Sequence, residues 1–106
     1  MESLESIIAR IVADWTHKSA VRDVTLTRSR DLIRNCANSI RATHRHEYDL
    51  ARDLLTQARA QAQEACREAA PYSDVYYAGF LQDALKEVAE AAVVLACATG
   101  GDIPGP

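Results

Sequence analysis

The chain has 106 residues, enough for one domain and too few for two; with 48% hydrophobic and 25% charged residues it has the composition of a globular domain with a modest core. The opening residues, MESLESIIAR, carry acids where a secretory signal would be basic, and no apolar stretch is long and uncharged enough to span a bilayer. A cytoplasmic protein without membrane contact is therefore expected, and a net charge of -3 gives no global sign of nucleic acid unless the basic residues are sorted to one face.

Glycine and proline are scarce before Gly100, with only Pro71 and Gly79, while alanine, leucine and arginine abound, which predicts an all-α fold. A short amphipathic segment (Leu4, Ile7, Ile8, Ile11, Val12, Trp15) opens it, with a kink or break expected over residues 16–19. Residues 21–43 form a long helix burying Val21, Leu32, Ile33, Cys36 and Ile40. A third segment, residues 46–69, buries Leu50, Leu54, Leu55, Ala58, Ala62 and Ala65, and Pro71 stops it because the residue before a proline is pushed out of the α region. Ser73 is placed to cap a fourth helix that buries Tyr77, Phe80, Leu81, Ala84, Val88, Ala91 and Leu95 and ends at Thr99-Gly100-Gly101. The expectation is an up-and-down bundle of about four helices. Residues 91–98 are apolar on every side, more than four helices can cover, and so point to self-association. Cys36, Cys66 and Cys97, widely spaced and odd in number, read as small buried apolar residues and not as a zinc site or disulfide framework.

Two charged constellations stand out. At about 100° per residue, Arg30, Arg34, Arg41 and Arg45 fall within roughly 60° of one another, away from Ile33, Cys36 and Ile40. Arg52 and Arg59 continue a seven-residue spacing on the next helix. Such a row is either a plain exposed helix face or a track for a phosphate backbone, which arginine's forked donors suit better than lysine's point charge. On the fourth helix Asp83, Glu87 and Glu90 share another arc of roughly 60°. Like charges at i and i+4 repel, so a cation is wanted: either Lys86 and neighbouring arginines, or a divalent metal such as Mg²⁺ or Mn²⁺, which takes hard oxygen ligands and can activate water. HRHE, residues 44–47, points its two histidines to different sides of a helix and offers no metal site. Neither a phosphate-binding glycine loop nor a persuasive nucleophile with its base is present.

Taken in order, these residues resemble the translin family, which comprises translin and translin-associated factor X, and look most like its archaeal members. RSRDLIRNCANSIRATHR (28–45) is similar to the family's SRD...S.R....HR helix, and YYAGFLQDALKEVAEA (76–91) to its LQEYVEA segment before an apolar run. The resemblance spans nearly all of the chain after the first helix and corresponds to the N-terminal half of the family's fold. It implies an α-helical subunit of a hollow homo-oligomer that binds single-stranded RNA or DNA inside and, in the factor X type, cleaves RNA with Mg²⁺. In nuclease-competent members an E-x-x-E pair and a much later aspartate hold the metal; Glu87 and Glu90 match the pair. The late aspartate has no counterpart, and Asp102 is in the wrong place to replace it. Two alternatives remain: a non-catalytic subunit that binds nucleic acid and builds the oligomer, and an all-α nucleotide pyrophosphohydrolase, whose EExxE and later ExxD motifs are both missing.

Overall fold

The computed structural model describes residues 2–100, so Asp102 and the Gly101 half of the stop signal lie outside the described residues. Four α-helices and no strand are found among them: α1 (Leu4–His44), α2 (Tyr48–Ala69), the single turn α3 (Ser73–Tyr76) and α4 (Gly79–Thr99). Three long helices do the packing. α1 descends, α2 returns antiparallel to it, and α4 descends again beside both, with its start near Arg22, whose guanidinium sits 5.4 Å from the centre of the Phe80 ring. No described helix is long and apolar enough to cross a membrane.

The expected break over residues 16–19 is absent, and α1 runs unbroken for 41 residues. Thr16 and Ser19 each cost only about 0.5 kcal/mol of helix propensity relative to alanine, and no glycine or proline adds to that. Ser3 caps the start by accepting a hydrogen bond from the Ser6 amide at 3.1 Å. At the other end His46 takes a left-handed conformation (φ 62°), which turns the chain into α2 within residues 45–47.

Nor is the segment after Pro71 one helix. Ser73 starts α3, Ala78 is extended, and α4 begins only at Gly79. Glycine is a poor helix-interior residue, and Gln82 Nε2 donates to the Tyr76 carbonyl at 2.8 Å, satisfying an acceptor that the interruption frees. Tyr77, expected to be buried, is consequently 71% exposed at the end of α3.

The buried positions follow a strict alternation of four and three. On α1 they are Thr25, Ser29, Leu32, Cys36, Ser39 and Thr43, joined by Ala42; on α2 Ala51, Leu55, Ala58, Ala62, Ala65 and Ala69; on α4 Leu81, Ala84, Ala91 and Leu95, with Ala92. A 3.5-residue repeat keeps one seam facing its neighbours along the whole bundle, as in a coiled coil. Leu50, one residue out of phase with the α2 seam, is therefore exposed, contrary to expectation, and Val21, Ile33, Ile40, Leu54, Phe80 and Val88 are only partly buried. Small residues dominate the seam, so the backbones come close: the Ser39 hydroxyl on α1 donates to the Ala51 carbonyl on α2 at 2.8 Å. Thr25, Ser29 and Thr43 donate to carbonyls four residues back, and no buried polar side-chain atom of the described residues lacks a partner. Across the same interface Arg28 grips Glu68 through two hydrogen bonds of 3.1 and 2.9 Å, and Asn35 donates to Gln61 at 2.9 Å.

The reading of all three cysteines as buried holds for Cys36 alone; Cys66 is half-buried and Cys97 exposed. Within residues 91–98, Ala91, Ala92 and Leu95 are covered, whereas Val93, Cys97 and Ala98 remain exposed. The bundle covers one side of α4 and leaves the other open.

Candidate functional site

α1 sets four arginines in one line because their spacing of four, seven and four residues follows the same repeat as its buried seam, on the opposite side of the helix. Arg30, Arg34, Arg41 and Arg45 are all exposed. Arg28 and Asn35 reach α2, and the row lies roughly 80–160° around α1 from them, facing away from α2. The row makes only local contacts: Arg34 with Asp31 at 3.7 Å, Arg41 with the Asn38 side-chain carbonyl at 2.9 Å, Arg45 with Glu47 at 3.3 Å. On α2, Arg52 meets Asp49 at 3.3 Å. Arg30 and Arg59 have no ion-pair partner among the described residues. Exposed pairs of this kind contribute about 0–1 kcal/mol, so the guanidiniums are cheap to redirect.

On α4, Asp83 and Glu90 are exposed and Glu87 is half-buried. Glu87 faces α1: burial first, and the Glu87 charge second, push the Cys36 thiol up to about 11. None of the three acids pairs with a cation among the described residues, Lys86 included. Direct pairing with Lys86 or a neighbouring arginine is thus not how the fold accommodates them. Nor do three His, Cys, Asp or Glu side chains converge as a metal-holding group among the described residues.

A third feature has almost no signature in the sequence. A cleft of about 530 Å³ opens where the end of α4 passes the α1–α2 turn, walled by Val93, Val94 and Cys97 on one side and His44, His46 and Tyr48 on the other. His46 Nδ1 and the Tyr48 hydroxyl are 2.7 Å apart, which ties the left-handed residue to the first turn of α2. Only the apolar residues near the end of α4, more than the bundle can cover, hint at it.

The chain matches no model of a known protein family, no curated protein and no solved structure.

Proposed function

We propose that this protein is a translin-like subunit that self-associates and binds single-stranded RNA or DNA along the arginine row of α1. The observation that carries the reading is the row itself: four exposed guanidiniums on one face of one unbroken helix, held only by weak local contacts. A phosphate can replace each such contact with a forked, charge-assisted pair. Arg52 and Arg59 on α2 are exposed as well and add positive charge on the neighbouring helix. A net charge of -3 does not oppose this, because the field of a sorted row acts within about 8–10 Å at physiological salt. Three free cysteines, one of them exposed, suit a reducing compartment such as the cytoplasm.

The test is salt dependence. Replacing Arg34, Arg41 and Arg45 singly by Gln should weaken binding to a single-stranded RNA oligomer and flatten the log–log salt slope by roughly 0.7 for each phosphate no longer neutralised. Unchanged slopes return the row to plain surface.

A second reading, metal-dependent endoribonuclease, is favoured by the unpaired state of Glu87 and Glu90 one helical turn apart. Their hard oxygens suit Mg²⁺ or Mn²⁺. The donor count does not, since no third ligand joins them among the described residues, and no hydrolytic step is derived from those residues alone. In this reading Glu87 and Glu90 are ligands, Asp83 adds negative charge beside them, and other carboxylates come from outside the described fold.

A further inference from the structure

Followed upwards, the four–three alternation of the α1 seam passes through positions 22 and 18 and reaches Trp15, Ile11, Ile8 and Leu4. These four keep the phase of the buried seam yet are 73%, 57%, 50% and 68% exposed, and Val12 beside them is 57% exposed. α1 has left the bundle by then. Its highest contacts are His17 with Tyr72, ring centres 5.9 Å apart, and the ion pair of Lys18 with Asp74.

We infer that this face pairs with the same face of a second copy of the chain, antiparallel, as a short two-stranded coil about a twofold axis between Ile8 and Ile11. The inference makes concrete the self-association in the reading above and is independent of its nucleic-acid part. Three observations commit it to a second copy. The face keeps the phase of the seam already used inside the bundle, across an interruption at Lys18 and Arg22, so its side chains are set for helix-on-helix packing. It is self-complementary: in antiparallel register Ile8 meets the partner's Ile11 and Trp15 meets the partner's Leu4, four layers of matched volume, whereas a parallel pair would crowd Trp15 against its own copy. Its length also fits. In that register the partner's Ser3, the cap of its helix, lies opposite Thr16, just before the level where Tyr72 and Asp74 close the seam. A parallel partner would instead run on into the space that α2 fills. Flanking positions place Val12 near the partner's Glu5 and Ile7 near the partner's Asp14, so no like charges meet.

Sedimentation equilibrium over a concentration series tests it, with circular dichroism to confirm that each variant is folded. Wild type should dimerise; Ile11→Ala should raise the dissociation constant roughly 100-fold to 10,000-fold, because a symmetric dimer loses two buried side chains. Ile11→Glu should be monomeric with its bundle intact. The register is read by oxidation in a Cys97→Ser background: a mixture of Ile8→Cys and Ile11→Cys should cross-link faster than either variant alone, since only unlike positions face each other. A wild type that stays monomeric overturns the inference together with the self-association reading, leaving the face to another protein or another segment of polypeptide. An oligomer indifferent to Ile11→Glu, or cross-linking dominated by like positions, overturns the interface and leaves self-association standing.

Discussion

Leu32 and Ile11 stand on the same helix and on the same seam, 21 residues apart, yet the fold makes opposite use of them. Leu32 is fully buried within the core cluster that includes Cys36, Leu55 and Leu95. Truncating it to alanine removes buried methyl groups and leaves a cavity in a cluster made largely of alanines, which have no long side chain to move into a gap; the cost should lie near the upper end of about 3–5 kcal/mol. For a domain of about 100 residues each kcal/mol moves Tm by about 4–8 °C, so Leu32→Ala should lower Tm by at least about 12 °C. Ile11 is 57% exposed and lies above the highest contact of α1 with the bundle, so Ile11→Ala should change stability by no more than about 0.5 kcal/mol in dilute monomer, with alanine's better helix propensity offsetting the local packing that isoleucine provides. Thermal melts followed at 222 nm, repeated by urea titration, read both, and a preserved urea slope for Leu32→Ala would show that the unfolded reference is unchanged. Comparable losses of stability for the two variants at low concentration would refute the placement of the upper half of α1 outside the bundle.

The Cys36 thiol, raised from 9.0 to about 11 chiefly by burial and secondarily by Glu87, should make the fold sensitive to alkali. Below pH 9 both states keep the proton and the contribution is complete; between pH 9 and 11 the unfolded chain ionises while the folded chain resists, so stability is lost as pH rises, by about 2–3 kcal/mol. Subtracting the melting curve of Cys36→Ala at each pH removes the tyrosines and lysines, and a flat difference would refute the assignment. Glu87→Gln and Glu90→Gln break no ion pair here, so both should melt at or slightly above wild type as like-charge repulsion is relieved by a few tenths of a kcal/mol. Added Mg²⁺ should raise the wild-type Tm and leave the variants unmoved if these carboxylates bind the ion; no Mg²⁺ effect in any of the three proteins rejects the metal reading.

What the sequence revealed follows from which interactions are local. Helix content, the stop at Pro71 and the arginine arc of α1 depend on residues within a turn or two of each other, and all are visible in composition and spacing. The pairing of Arg28 with Glu68 bridges 40 positions and the Ser39 bond to Ala51 needs the α1–α2 turn in place, so neither had a local sign. Cys97 illustrates the same limit for burial: a hydrophobic neighbourhood in sequence fixes what a helix can bury, and the partner helices decide which side it does bury.

The continuity of α1 across residues 16–19 has a signal of its own in the sequence. Thr16, His17, Lys18 and Ser19 are indifferent helix formers, and composition alone marks them as a weak point. Phase says otherwise. Two helices joined by a kink have no reason to keep a common seam, because any irregular residue rotates the second by an arbitrary angle. Here Leu4, Ile8, Ile11 and Trp15 lie a whole number of four-and-three steps from Thr25, Ser29 and Leu32, although half-buried Lys18 and exposed Arg22 hold the steps between. Such a register survives only if the backbone rises 1.5 Å and turns by the same angle at every residue between, which is a single helix. Continuity in turn explains the exposed upper face: a rigid helix nucleated and held by the bundle below carries its seam about 20 Å past the last contact, where an isolated segment of that length would be only marginally helical in water.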